Sequence, residues 1–155
     1  MKAISAVRTK ALNIGSIVKV ADNSGAKIAK ITGVKRGKST KGRQIAAGIA
    51  DHVKVSIKKG LREMKGQLLD AVVVRQKKEW RRLSGERISF EDNAVIIIKD
   101  EKGDPKGTQA KGPIAKEVAE RWPAISKIAG AVAVSYTHLR AHETSLHLVC
   151  RLLLE

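Results

Sequence analysis

The region between residues 14 and 100 consists of short runs of Val, Ile, Leu and Ala, each bounded by turn-forming residues. Runs of this length and composition predict β-strands. We expect strands at residues 17–21, 26–34, 53–57, 70–74 and 94–98, and a further hairpin over residues 79–90. The run at 70–74 is almost entirely apolar, which is typical of a strand buried on both faces. Strands this short, separated by this many turns, pack best as a small closed barrel.

Two of the intervening segments have distinct chemistry. Residues 22–25 form a polar turn that ends in Gly25, where a positive φ is expected, so the strands on either side predict a hairpin. Residues 35–43 form a basic, glycine-containing segment without apolar periodicity, which predicts a loop.

The composition changes after residue 100. Residues 101–112 are rich in Gly, Lys, Pro and Asp and predict a loop. Pro113 is then expected to open a helix over residues 114–122, and Pro123 to begin a second short helix. The apolar positions at helical spacing, which we expect to pack on the core, are Ala115, Val118, Ala119 and Trp122. The sequence therefore predicts one mainly β domain, a small closed barrel followed by two short helices.

A second change of composition follows Val134. The last 21 residues hold three of the four His, the only Cys and the only Tyr, but no Lys and no Gly. Residues 134–144 resemble the translation of a transposon-type sequencing adapter, and residues 148–155 resemble that of its flow-cell end. The gap between them has the length of a sample index. We therefore expect a native domain at residues 1–134 and an artefactual tail at residues 135–155.

Excluding the tail changes the candidate chemistry but not the charge. The tail contains two basic and two acidic residues, so the net charge of +16 is the same without it. Any metal or nucleophile site built on Cys150 with His138, His142 or His147 is discarded, and His52 is the only His left.

Length, charge and hydropathy limit the functional classes. The chain has 155 residues, with 31 Lys and Arg against 15 Asp and Glu, and 43% hydrophobic residues, enough for the core of one domain. No apolar run approaches the ~20 residues that cross a bilayer, and no signal pattern is present at the N-terminus. We expect neither an integral membrane nor an extracellular protein. The charge indicates a polyanionic partner, either nucleic acid or an anionic membrane surface.

Two motifs resemble catalytic sites only superficially. The sequence from Gly33 to Ser39 has three residues between its glycines, whereas a P-loop needs four and a following helix. His52 stands beside Asp51, but neighbours on a strand point to opposite faces, so we expect a solvated or loosely packed His. No nucleophile and base pair, metal-ligand spacing or cofactor loop remains. The sequence predicts a protein without catalysis, cofactor or metal.

The basic residues carry the functional signal. They form three clusters: Lys35, Arg36, Lys38, Lys41 and Arg43; Lys58, Lys59, Arg62 and Lys65; and Arg75, Lys77, Lys78, Arg81 and Arg82. A merely solubilising surface mixes both signs of charge, whereas these clusters are nearly all positive. Lys and Arg on loops and strand ends bind phosphates in a salt-dependent way. With 3% aromatic residues the chain lacks a stacking platform for unpaired bases, which favours recognition of folded, paired RNA.

Four ordered motifs resemble one known family, universal large-subunit ribosomal protein fourteen in its archaeal form. They are VADNSGAK at residues 20–27, AVVVRQKK at 71–78, SG at 84–85 with FEDNAV at 90–95, and KGPIAKEVAERWP at 111–123. The resemblance runs from about residue 12 to residue 130, so it covers nearly all of the chain before the tail.

The resemblance implies a five-stranded barrel with a C-terminal helical extension, embedded in large-subunit rRNA and acting without catalysis. It implies three further partners: small-subunit rRNA at inter-subunit bridges, large-subunit protein three, and the anti-association initiation factor six. It places the protein in the cytoplasm, on the ribosome. The implied rRNA contacts are Lys35, Arg36, Lys38, Lys41, Arg43, Arg75, Lys77, Lys78, Arg81 and Arg82, and the second basic cluster adds Lys58 and Lys59 to the expected contacts. The implied bridge or protein contacts are Lys111, Lys116, Arg121 and Trp122.

Two other functions stay open at this point. A free RNA-binding barrel or RNA chaperone would exchange between RNAs, whereas a ribosomal protein would reside permanently in the large subunit. A membrane-surface binder would need a basic amphipathic helix, but here the basic residues are expected on loops and strand ends.

Overall fold

The computed structural model describes residues 3–4, 6–37, 39, 41–100 and 102–133. The predicted tail at 135–155 and the candidate site residue Lys38 lie outside the described residues. In chain order the elements are β1 (Ala6–Val7), β2 (Leu12–Asn13), β3 (Ile17–Val20), β4 (Ala26–Val34), β5 (Ala46–Ala47), β6 (His52–Gly60), β7 (Leu68–Arg75), β8 (Trp80–Arg82), β9 (Arg87–Ile88), β10 (Ala94–Ile98), β11 (Ala110–Ala115), α1 (Lys116–Arg121), α2 (Pro123–Ile128) and β12 (Ala129–Ala133).

Five strands close into a barrel in the order β10-β3-β4-β6-β7. All neighbouring pairs are antiparallel except β10 with β3, and the parallel pair completes the ring. The predicted fold class, mainly β with a closed five-stranded barrel and two short C-terminal helices, is confirmed. The barrel interior is filled by aliphatic side chains, because the chain has few aromatic residues to fill it.

The barrel strands follow the sequence pattern closely. β4 and β10 have the predicted bounds, and Ala71–Val74 of β7 is fully buried, as its continuous apolar run predicted. The β3–β4 hairpin turns at Gly25, which has the predicted positive φ of 94°. The hairpin predicted at 79–90 is also confirmed, as β8 pairs with β9. Side-chain alternation and turn residues therefore locate the barrel.

The C-terminal region differs from the prediction at Pro113. Residues 110–115 form β11, which pairs in parallel with β12, so α1 begins only at Lys116. The pairing is possible because the sheet has only two strands, and an edge strand tolerates a proline that cannot donate a hydrogen bond. The second helix begins at Pro123 as predicted.

Trp122, between the two helices, attaches the C-terminal region to the rest of the protein. Its side chain is buried, and its indole Nε1 donates a hydrogen bond to the carbonyl oxygen of Ala50 at 3.0 Å. Gly103 packs directly against the ring: a Cβ at this position would lie 2.2 Å from Trp122 Cε3, and its φ is 102°. Only glycine satisfies both the backbone conformation and the close approach.

Candidate nucleic-acid interface

The first basic cluster occupies the turn and loop after β4. Lys35 is half-buried, and its backbone N donates to the carbonyl of His52 at 2.9 Å, which holds the turn against the start of β6. Arg36, Lys41 and Arg43 are exposed, and Arg36 has a φ of 60°. This segment therefore presents its cations to solvent from a backbone attached to the barrel.

The second cluster lies at the end of β6 and in the connection to β7. Lys58 and Lys59 are exposed on the strand, and Arg62 and Lys65 are exposed in the connection. The same connection exposes the apolar side chain of Leu61. These four cations form a second exposed group at a strand end.

The third cluster divides into two kinds of residue. Lys77, Lys78 and Arg81 are exposed, as a phosphate-binding role requires. Arg75 and Arg82 are buried and contact carboxylates and carbonyl groups inside the protein. Sequence proximity therefore groups residues that have different environments in the structure.

Arg75 joins the end of β7 to the segment before β10 and to β11. Its Nε donates to Asp92 Oδ1 at 2.7 Å, and its Nη1 donates to the carbonyls of Lys111 and Pro113 at 2.9 and 3.1 Å. Burial raises the pKa of Asp92, but the hydrogen bond and charge of Arg75, with the nearby Lys19, outweigh it and lower the pKa. Arg75 is thus a structural cation that fixes the irregular strand β11.

Arg82 has the equivalent role between β8 and the C-terminal helices. Its Nε donates to Glu117 Oε1 at 2.7 Å, and its Nη2 donates to the carbonyl of Ala133 at 2.9 Å. Trp80 Nε1 donates to the same Glu117 oxygen at 3.1 Å. This buried cluster connects β8, α1 and β12.

The four residues expected at a bridge or protein contact differ in their exposure to solvent. Lys111 and Lys116 are exposed, and Lys116 lies 3.8 Å from Glu120. Arg121 is half-buried, 3.5 Å from Asp51. Trp122 is buried, so its ring packs on the core, as its helical spacing predicted.

His52 differs from its sequence-based prediction. We expected a solvated or loosely packed side chain, but His52 is 5% exposed. Its ring meets Trp122 edge-on at 6.0 Å, and its Nε2 lies 3.3 Å from Asp70 Oδ1. The prediction was wrong because Trp122, which covers this position, is distant in sequence.

The structure also assembles a basic cavity that the clusters did not predict. Arg8, Lys10, Lys35, Arg36 and Arg121 line it, together with Asp51 and His52. Lys35 and Arg36 were predicted rRNA contacts, and Arg121 was a predicted bridge or protein contact. The N-terminal cations Arg8 and Lys10 belonged to neither group. No local sequence pattern could identify the cavity, since its members come from four separate segments.

Other kinds of site receive no support in the part of the chain that the structure describes. No three His, Cys, Asp or Glu residues within it come together to hold a metal ion. Neither described helix, at six residues each, is long and apolar enough to span a membrane.

Comparison with known sequences identifies the family of this chain. The sequence model of the family described as ribosomal protein L14p/L23e matches residues 11–133. The large ribosomal subunit protein uL14 of Nanoarchaeum equitans is 59% identical over 129 residues, which cover 83% of this chain and 97% of the relative. The uL14 proteins of Natronomonas pharaonis and Methanothrix thermoacetophila are 48% and 46% identical, over 83% and 86% of this chain and 97% and 98% of their own lengths. These matches confirm the resemblance carried by the four motifs: the chain belongs to the ribosomal protein L14p/L23e family.

Proposed function

We propose that this protein is a structural constituent of the large ribosomal subunit that binds large-subunit rRNA and has no catalytic activity. The observation that carries the proposal is the excess of exposed cations on loops and strand ends of a barrel from this family. Such cations bind the phosphate backbone and fix the orientation of a protein on RNA. Among the described residues, both Trp are buried and Phe90 is half-buried, so stacking of unpaired bases is not the means of recognition.

Among the expected rRNA contacts, we retain the described residues that are exposed or half-buried, together with Lys38 from the same basic segment. The proposed phosphate-binding residues are Lys35, Arg36, Lys38, Lys41, Arg43, Lys58, Lys59, Lys77, Lys78 and Arg81. Arg75 and Arg82 support this surface indirectly, because each anchors a strand next to exposed cations. Lys77 illustrates this arrangement, since its backbone N donates to the side chain of Asn93 at 2.8 Å and is thereby fixed.

We further propose a bridge contact, two protein partners and a location for this protein. The exposed Lys111 and Lys116 of the C-terminal segment are proposed to face small-subunit rRNA at an inter-subunit bridge or a neighbouring protein. The proposed protein partners are large-subunit protein three and the anti-association initiation factor six. The proposed location is the cytoplasmic ribosome.

We also propose that residues 1–134 are the native protein and that residues 135–155 are an artefact of sequencing. The family match ends at residue 133, which supports this division. Amplification of the locus from source DNA tests it directly. An encoded tail at that locus would refute the artefact.

The function is tested by sedimentation. The full chain and residues 1–134 are each tagged, expressed in archaeal cells, and followed through a sucrose gradient after a high-salt wash. Salt removes proteins held by a few phosphate contacts, because affinity falls steeply with ionic strength. We expect both forms to remain in the large subunit at one copy each. If both wash off, the alternative of an exchanging RNA-binding barrel or chaperone is correct instead.

A further inference from the structure

The basic cavity described above, of about 180 Å³, lies where four separate segments meet. Arg8 and Lys10 come from the N-terminal segment, Lys35 and Arg36 from the turn after β4, and Arg121 from the end of α1. Asp51 lies in the short connection between β5 and β6. The cavity therefore forms only when the fold is complete.

Asp51 is the single carboxylate in the lining, and it is shared. Its Oδ1 accepts a hydrogen bond from Arg8 and lies 3.5 Å from Arg121 Nη1, while its Oδ2 accepts from the backbone N of Gly48 at 2.9 Å. The lining thus contains one carboxylate and five cationic side chains. The lining carries a large excess of positive charge in a partly enclosed space.

The cations are close enough to affect one another. Burial lowers the pKa of Arg121, Asp51 raises it, and the charges of Arg8 and Arg36 lower it further, so that the net pKa is lowered. Arg36 also has a φ of 60°, a left-handed conformation that is disfavoured for any residue with a Cβ. Sterically disfavoured backbone of this kind concentrates at binding sites. Repulsion among Arg8, Arg36 and Arg121 opposes this arrangement, and a further bound anion would reduce it.

We propose that this cavity binds a phosphate group of the RNA backbone. Arg8, Arg36 and Arg121 line the cavity with Lys10 and Lys35. Guanidinium groups match phosphate oxygens with planar pairs of donors, and Lys side chains add further positive charge. The cavity adjoins the exposed basic loop through Lys35 and Arg36, so RNA bound along that loop can continue into it. That the phosphate belongs to rRNA rests on the proposed function. That the cavity binds a phosphate group does not depend on it.

The test begins with the purified full chain and inorganic phosphate as the probe. NMR spectra follow the Nε–Hε resonances of the arginine side chains during a phosphate titration at constant ionic strength. We expect Arg8, Arg36 and Arg121 to shift together with a single dissociation constant. Shifts confined to other arginines, or none at all, would overturn the proposal.

Two double substitutions, one in the cavity and one outside it, provide the test and its control. The variant Lys10→Gln with Arg36→Gln removes two exposed cations from the cavity lining without opening the Asp51 ion pairs. We expect it to lower phosphate affinity roughly five- to tenfold. The matched variant Lys27→Gln with Lys30→Gln removes the same charge from exposed positions of β4 and is expected to leave the affinity unchanged. Equal losses in the two variants would show that only net charge matters, which overturns the proposal.

The final measurement distinguishes RNA from free phosphate. Binding to large-subunit rRNA is measured over a series of KCl concentrations, where each lost phosphate contact reduces the salt slope by about 1. Because the cavity is proposed to hold one phosphate, we expect the cavity variant to reduce the slope by about 1 and the β4 variant to leave it unchanged. An unchanged salt slope in the cavity variant would overturn the proposal that the bound phosphate belongs to RNA. Because sedimentation tests residence in the subunit separately, loss of the phosphate site and loss of the proposed function are distinguishable.

Discussion

The buried cluster of Glu117, Arg82 and Trp80 yields the sharpest prediction about stability. Glu117 is 2% exposed and accepts hydrogen bonds from Arg82 Nε at 2.7 Å and Trp80 Nε1 at 3.1 Å. Glu117→Ala leaves the Arg82 guanidinium buried without its counter-charge. Removing one member of a buried ion pair costs about 3–5 kcal/mol. We expect a loss of this size in the free energy of unfolding of the full chain.

Urea unfolding measures this loss, with Trp fluorescence as the signal, because Trp80 and Trp122 are both buried in the folded protein. The control is the variant that replaces the pair together, Arg82→Met with Glu117→Leu. Apolar residues of similar volume remove both charges at once, so no uncompensated ion is left. We expect the double variant to lose at least about 2 kcal/mol less than the sum of the losses measured for Arg82→Met and Glu117→Leu separately. Additive losses, or a cost below about 1 kcal/mol for Glu117→Ala, would refute the reasoning.

The pH dependence gives an independent check on the same carboxylate. Burial raises the pKa of Glu117, but the hydrogen bonds from Arg82, its own backbone N–H and Trp80, with the Arg82 charge, outweigh it and lower the pKa below the ordinary value of 4.5. A lowered folded-state pKa stabilises the protein above the unfolded-state pKa, and this stabilisation disappears as the pH falls through the folded-state value. The stability difference between the wild type and Glu117→Gln should therefore be constant above about pH 5 and shrink below it.

Two further predictions follow from the fold and the surface. Gly103→Ala should destabilise the protein by about 2–4 kcal/mol in urea unfolding, because the new methyl group meets the ring of Trp122 at a positive φ; a cost under about 1 kcal/mol would contradict this packing. Replacing Lys77, Lys78 and Arg81 together by Glu should prevent assembly into the large subunit on a sucrose gradient and leave the circular dichroism spectrum unchanged, and normal incorporation would exclude this surface as an rRNA contact.

The barrel strands were predictable because the patterns that specify them lie within short stretches of sequence. The alternation of Val53, Val55 and Ile57 with polar residues assigns a half-buried strand, and all three apolar side chains are buried. The turn at Gly25 and the apolar run of β7 are equally local signals. In the C-terminal region local information misleads: Pro113 has the signature of a helix start, but pairing with β12 places it in a strand.

The individual roles of the basic residues were not predictable, because each depends on a partner far along the chain. Arg75 and Lys77 are two residues apart and looked equivalent in the sequence. Arg75 is paired with Asp92, 17 residues away, while Lys77 is exposed. Arg82 likewise meets Glu117 across 35 residues. Charge patterning predicts the kind of partner, but only the fold separates structural cations from surface cations.

This separation explains how a strongly basic chain can both fold and remain available to an anion. Asp51, Asp92 and Glu117 each contact arginine side chains inside the protein, so part of the small acidic complement is used to neutralise buried or half-buried cations. Exposed Lys and Arg residues are correspondingly left in excess over exposed carboxylates. Repulsion among them opposes folding of the isolated protein, and a bound polyanion would relieve it. The same charge distribution that neutralises the buried arginines therefore leaves an exposed surface suited to a polyanion.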